Sequence, residues 1–193
     1  MVAVYNYNYV AKFIVIGDMG CGKSSLLRQF TEGEFRFRSV TRSYYRGSIG
    51  TILVYDITNR ESFESLTRWL SDARQLTPAK SIFVLVGNKA DRESQREVRA
   101  DEGEEYAKEN GMLFVEASAK TGAKVEAIFL DLASKILALV KSGEVDPLSP
   151  DSGVQCMKPQ AMRNGSTSAG GRSINVSNSG GSARISIGGM TCC

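Results

Sequence analysis

The residues from Gly17 to Ser24 carry the clearest chemical signal in the chain. Their sequence, Gly-Asp-Met-Gly-Cys-Gly-Lys-Ser, has the spacing of a phosphate-binding P-loop: a glycine, four residues, then Gly-Lys-Ser. It follows the apolar run 13–16, which predicts a buried parallel strand. Glycines let the backbone bend so that several N–H groups converge on phosphate oxygens, and the next helix adds its positive N-terminal end. The pattern predicts a phosphate site; the alternative is a glycine-rich turn without a ligand.

Two side chains of this loop have distinct predicted roles. Lys23 would place a point charge on the outer phosphates. Ser24 would offer its hydroxyl to Mg²⁺, a hard cation that prefers oxygen ligands and retains several waters. The predicted phosphate-binding residues are Asp18, Met19, Gly20, Cys21, Gly22, Lys23, Ser24 and Ser25.

A second polar loop, Asn88-Lys89-Ala90-Asp91, follows the apolar strand predicted over 82–86. The Asp91 carboxylate can accept hydrogen bonds from N1–H and the exocyclic amine of guanine together, a donor pair that adenine lacks. Asn88 could tie this loop to the P-loop or to the base, and the stem of Lys89 could lie along the ring. Alone the four residues could be a solvated loop, but Ser118-Ala119-Lys120 follows the next strand, and the Ala119 N–H could face O6. The predicted guanine-binding residues are Asn88, Lys89, Asp91, Ser118, Ala119 and Lys120.

The elements that must position these loops alternate along the chain. Apolar runs predict strands, and helical spacing of apolar residues predicts helices between them, ending in a long helix with a continuous apolar stripe from Val125 to Val140. The predicted strands are 13–16, 51–55, 82–86 and 112–115, and the clearest shorter helices are 23–31 and 100–109. Alternating strands and helices predict an α/β fold with a parallel sheet covered on both faces. Ligands of such sheets bind beyond the carboxyl ends of the strands, where the polar loops lie.

Composition limits the other possibilities. The chain has 193 residues, a net charge of +3, four cysteines and no histidine. This charge is too small to indicate nucleic-acid binding, and imidazole chemistry is excluded. Residues 142–193 contain nineteen Gly or Ser in fifty-two, which predicts disorder. We therefore predict an N-terminal arm at 1–10, a domain over 11–141 and a disordered tail at 142–193.

These motifs together resemble a small GTPase of the Ras superfamily, specifically of its Rab branch. The resemblance also includes 37–47, 54–58, 116–120 and the terminal pair Cys192-Cys193. It implies a P-loop three-layer sandwich with a mostly parallel sheet, GTP/GDP and Mg²⁺ as ligands, and slow GTP hydrolysis. It further implies a monomer controlling vesicle traffic from the cytosolic face of an endosome- or Golgi-type membrane and from the cytosol, with exchange, activating and escort proteins as partners.

The chain departs from that family after the first helix. Only sixteen residues, Phe35 to Gly50, precede the next strand, too few for the family's switch loop and its second and third strands. No Asp-x-x-Gly occurs, so no catalytic residue is assignable. We expect a reduced sheet whose first strand is a bare edge unless 1–10 or 35–50 cover it. A non-switching guanine-nucleotide binder is therefore the main alternative function; a P-loop metabolic kinase is a third reading, for which Asn88 and Asp91 have no use.

The tail ends in Cys192 and Cys193, which resemble the paired prenylation site of Rab proteins. Two prenyl chains give stable membrane anchoring where one is marginal. The alternative is a pair of exposed thiols without function.

Overall fold

The computed structural model describes residues 8–31, 45–156, 173–178 and 181–192, the last two ranges for their backbone. The strands are β1 Tyr9–Ile16, β2 Gly50–Asp56, β3 Ile82–Asn88, β4 Leu113–Glu116, β5 Val154–Cys156, β6 Ser173–Asn178 and β7 Gly181–Cys192. The helices are α1 Lys23–Thr31, α2 Arg60–Glu64, α3 Leu66–Leu76, α4 Ala100–Glu109 and α5 Val125–Lys141, with a 3-10 helix at Ala90–Gln95. No helix of the described ranges is long and apolar enough to cross a membrane.

The strands form one sheet in the order β4-β3-β2-β1-β7-β6. Pairing is parallel from β4 through β7, while β6 runs antiparallel to β7. β5 pairs antiparallel with the first residues of β1. The predicted mostly parallel α/β sheet is therefore confirmed.

Alternate residues of the central strands supply two separate cores. Phe13 and Val15 of β1 join a cluster with α1 and α5, in which Phe30 stacks on Phe129 with ring centroids 3.8 Å apart. Ile14 and Ile16 point to the other face, into a cluster with residues of α3 and α4. Successive side chains of a strand point to opposite faces, so residues 13–16 of this strand are all apolar and are buried on both sides. The result is a three-layer sandwich.

Most local predictions agree with the structure. α1 and α4 have the predicted bounds, and Gly111, just after α4, has a φ of +64°, the left-handed conformation that often ends a helix. The helical segment after β2 is divided at Ser65 into α2 and α3.

The chain after residue 141 differs from the expected disordered tail. Val145 and Val154 are buried in the core beneath α5, so the folded unit extends past the predicted boundary. Gly153 has a φ of +74°, and a Cβ there would lie 2.8 Å from both the Gly47 carbonyl oxygen and the Ile49 nitrogen. The high glycine and serine content of this segment predicted disorder, but some of its scattered apolar residues are buried in the core.

The expected bare edge of β1 is also corrected. The expectation named 1–10 or 35–50 as possible cover, and 1–7 and 32–44 lie outside the described residues. In the structure β7, from the tail, pairs in parallel along β1, with Tyr9 opposite Ile185 and Val15 opposite Cys192. The sheet is thus extended by a hairpin from the other end of the chain. Ile174 and Val176, like Ile185 and Ile187, alternate with polar residues, a period of two that would have indicated these strands.

Candidate nucleotide-binding site

The predicted site loops meet at the carboxyl edge of the sheet. β1 leads into the P-loop, β3 into the Asn88 loop and β4 into the Ser118 loop. Between them lies a cavity of about 610 Å³. Its lining residues are Gly22, Ser25, Arg28, Gln29, Asn88, Lys89, Asp91, Arg92, Ala119 and Lys120.

The P-loop folds around the Lys23 ammonium group. Lys23 Nζ donates hydrogen bonds to the carbonyl oxygens of Gly17 at 2.9 Å and Asp18 at 2.6 Å, and the residue is only 9 % exposed. α1 begins at Lys23, so the N–H groups of its first turn have no helical partners. Positive charge and unpaired donors at one helix end form an arrangement that suits phosphate oxygens.

The remaining P-loop side chains differ in their surroundings. Cys21 is buried, its thiol donates to the Asp18 carbonyl oxygen at 2.9 Å, and burial raises its pKa, so it is a neutral packing residue. Met19 is 99 % exposed and does not line the cavity. Ser24 and Ser25 are exposed at the start of α1, and Gly20 has a φ of +84° with open space around it.

Asn88 joins all three loops. Its Nδ2 donates to the Cys21 carbonyl oxygen at 2.8 Å, and its Oδ1 accepts from the Ala119 N–H at 3.1 Å. Gly22 has a φ of +90°, and a Cβ there would collide with Asn88 Nδ2, so glycine is required for this close approach. The predicted link from Asn88 to the P-loop is present. The Ala119 N–H is already engaged, so guanine O6 would have to share or displace that bond.

Asp91 lies at the rim of the cavity as a carboxylate. Ser118 Oγ donates to its Oδ1 at 2.6 Å, and Lys120 Nζ lies 3.9 Å from its Oδ2. The hydrogen bond from Ser118 holds the pKa of Asp91 below its usual value, and the positive charge of Lys120 acts in the same direction. An ionised acceptor is the form that a pair of guanine N–H donors needs.

Lys89 is held by a residue that the sequence analysis did not assign to the site. Lys89 has a φ of +67°, and its Nζ lies 2.5 Å from Oδ2 of Asp56, the last residue of β2. Burial by itself raises the pKa of Asp56, but hydrogen bonds from Lys89 and Thr58 outweigh it and lower the pKa. The pair fixes the end of the Lys89 side chain, so that its stem borders the cavity. The position of Asp56 at a strand end, next to the other loops, was the available signal.

Arg96 connects the Asn88 loop with the Ser118 loop. Its guanidinium donates to both carboxylate oxygens of Glu116, at 2.7 and 2.9 Å, and to Glu93 at 2.8 and 2.7 Å. Glu93 follows the Asn88 loop and Glu116 precedes the Ser118 loop. These fork-shaped contacts hold the pKa of Arg96 above its usual value.

The described side chains offer few ligands for a magnesium ion bound together with a nucleotide. No group of three His, Cys, Asp or Glu side chains that could hold a metal occurs among the described residues. The exposed Ser24 hydroxyl at the start of α1 could give one oxygen to Mg²⁺, and phosphates and water would supply the others, as is usual for this ion.

Of the predicted lipidation residues, Cys192 lies in β7 and Cys193 lies outside the described residues. The sequence did not predict three residues that line the cavity: Arg28, Gln29 and Arg92. They lie on helical segments, and no motif there distinguishes them from ordinary solvent-exposed residues.

The fold and the loops at its edge define a P-loop nucleotide-binding protein of the α/β class. A family model described as Ras family matches residues 12–38 and 33–138, about two thirds of the chain. The chain therefore belongs to the Ras family of small GTPases, whose members bind GTP and GDP with Mg²⁺ and hydrolyse GTP.

Proposed function

We propose that this chain is a Rab-type GTP/GDP switch in vesicle traffic, held by prenyl groups on the cytosolic face of an intracellular membrane. The observation that carries the proposal is the adjacent cysteine pair Cys192-Cys193 in a chain with the Rab-like segment 37–47. The basic residues after Gly153 are Lys158, Arg163, Arg172 and Arg184, too dispersed for a polybasic anchor. Lipid must therefore carry the membrane binding.

The nucleotide-binding residues belong to the same proposal. We assign the phosphates to the P-loop with Lys23, the Mg²⁺ to Ser24, and the base to the loops of Asn88 and Ser118. The ionised Asp91 and the link from Asn88 to Cys21 support guanine as the base, since they place an acceptor pair and a fixed loop at one end of the cavity.

The test of the membrane role uses the chain's own cysteines as controls. Replacing both terminal cysteines, C192S with C193S, should move the protein from the membrane fraction of cells to the cytosol. The matched control C156S removes an exposed cysteine in β5 and should leave membrane recovery unchanged. Membrane recovery of the double variant would refute the lipid anchor.

A second function, a non-switching guanine-nucleotide binder, is favoured by a different observation. The family match falls into two pieces that overlap at 33–38, the place where the sequence predicts a lost internal segment. Asp-x-x-Gly is absent, so the groups that distinguish GTP from GDP in such switches have no counterpart. A protein that makes the same contacts with GTP and with GDP has the same conformational equilibrium with either nucleotide.

Single-turnover hydrolysis decides between these functions. The experiment uses the full chain, because Val145 and Val154 complete the core. A non-switching binder holds GDP at least as tightly as GTP and hydrolyses GTP far more slowly than an intact relative. Family-like turnover that disappears in K23A would support the switch. The transcript around codons 34–36 then shows whether an in-frame exon encodes the missing segment.

A further inference from the structure

The outer edge of β1 is occupied by the chain's own C-terminal strand. β7 pairs in parallel with β1 from Tyr9 to Val15, and β6 adds to the outside of β7. The register shifts between Lys12 and Ile14, opposite Gly188 and Thr191, where consecutive glycines can accommodate an extra residue. The two strands thus close the edge of β1 that the sequence predicted to be bare.

The backbone of β1 shows which groups depend on β7. Lys12 donates its N–H to the Gly153 carbonyl oxygen, and its own carbonyl accepts from Ile49 N–H, so both groups face β5 and β2. Backbone groups of alternate residues point to opposite edges of a strand. Those of Ala11 and Val15 therefore face β7, whereas those of Ile14 and Ile16 face β2. Without β7, the backbone N–H and C=O groups of Ala11 and Val15 would have no strand to pair with, although the side chains of both residues are buried.

The direction of β7 places its end beside the P-loop. Because β7 is parallel to β1, Cys192 lies opposite Val15, two residues before Gly17. Cys193 is the next residue in the sequence. A lipid on either cysteine of the docked strand would draw the nucleotide edge of the sheet against the bilayer.

We infer that the outer edge of β1 is a docking site for residues 181–192, which leave it when the C-terminus enters a membrane. The tail then has two mutually exclusive positions: paired to β1 in the cytosol, or extended between the domain and the bilayer. The docked position follows from the strand pairing alone. The membrane position rests on the lipid anchor of the proposed function.

Hydrogen exchange of the full chain, read by mass spectrometry with residue-resolving fragmentation, tests both positions. In the unlipidated chain the amides of Ala11 and Val15 should be protected along with the control amides of Ile14 and Ile16. Fast exchange of the first pair beside slow exchange of the second would overturn the docked position. Protection that rises with protein concentration would overturn it too, since the strand would then come from a second copy.

The second arm uses the chain with prenyl groups at both terminal cysteines, prepared by joining a synthetic lipidated peptide, on phosphatidylcholine and phosphatidylserine vesicles. Ala11 and Val15 should exchange about 100-fold faster than in the unlipidated chain, while Ile14 and Ile16 change little. Unchanged protection on recovered vesicles would overturn the exclusive positions and leave the anchor intact. Failure of the lipidated chain to bind vesicles would instead overturn the anchor and the membrane position together.

A proline variant provides the comparison in solution. The double variant I185P with S186P removes two consecutive N–H groups of β7. Successive N–H groups point to opposite edges of a strand, so one of the two is a donor to β1 and that hydrogen bond is lost. Its Ala11 and Val15 amides should exchange as they do in the lipidated chain on vesicles. The matched control G165P with S166P, placed between β5 and β6 in the sequence, should exchange like the unmodified chain. Equal protection in the two variants would overturn the docking.

Discussion

Trp69 Nε1–H donates a hydrogen bond to Asp18 Oδ1 at 2.7 Å, which ties α3 to the P-loop across fifty-one residues of sequence. Arg68 adds a contact at 3.6 Å to the same oxygen. Burial alone raises the pKa of Asp18, but hydrogen bonds from Ser65 and Trp69 and the charge of Arg68 outweigh it and lower the pKa. The indole of Trp69 is therefore fixed by a carboxylate that belongs to the P-loop.

This contact makes tryptophan emission a reporter of the P-loop. Trp69 is the single tryptophan of the chain, so its fluorescence arises from one site. Adding GDP and Mg²⁺ should change the emission, because phosphates that bind the loop shift the Asp18 acceptor. In D18A the spectrum should already differ without nucleotide. An unchanged D18A spectrum would show that the indole does not make this bond in solution.

We predict that base choice depends on Asp91. D91N should weaken GDP binding more than about tenfold, since a good bidentate pair is worth about 1 to 3 kcal/mol of discrimination. The same variant should gain affinity for XDP, because xanthine has a carbonyl where guanine has its amine. Calorimetric titration of the wild type and of D91N with GDP and with XDP measures the two changes in affinity. Equal GDP affinity in the two proteins would remove Asp91 from the site.

Asn88 should matter for stability as well as for binding. N88A leaves the Cys21 carbonyl and the Ala119 N–H without their partner, and Asn88 is 1 % exposed. The loss of a buried hydrogen-bonding side chain should lower the free energy of unfolding by about 1 to 3 kcal/mol. Urea unfolding measures the effect, with N110A as a control whose side chain bonds only within the end of α4. A stable N88A protein with undiminished GDP affinity would contradict the linking role.

The Asp56–Lys89 pair predicts a specific pH dependence. The folded-state pKa of Asp56 lies below its usual value of 3.8. Its contribution is therefore complete above that value and is lost as the pH falls through the lower folded-state pKa. Urea unfolding of the wild type and D56N should differ by about 1 to 3 kcal/mol at pH 7 and converge below pH 3.8.

The matched control is D151N, which breaks an exposed pair with Arg46 at 3.8 Å. It should leave the unfolding free energy unchanged at every pH, because water screens exposed pairs. A D56N difference that persists in acid would mean that packing, rather than the carboxylate charge, gives Asp56 its effect.

The sequence by itself determined the α/β layers and the positions of the loops at the edge of the sheet. Apolar runs such as 13–16 are typical of strands buried on both faces, and Gly17, Gly22 and Lys23 have a spacing with one well-known chemical use. These signals are local, since each depends on residues a few positions apart, and the structure places them as expected.

Only the tertiary structure decided which distant groups pair. Asn88 meets Cys21, Trp69 meets Asp18, Lys89 meets Asp56, and β7 takes the edge of β1, all between segments far apart in the chain. A hydrogen-bond donor or a strand edge carries no mark of its partner in sequence, because many partners satisfy it equally well. The folded structure determines the partner, because packing around the core brings one particular group within bonding distance.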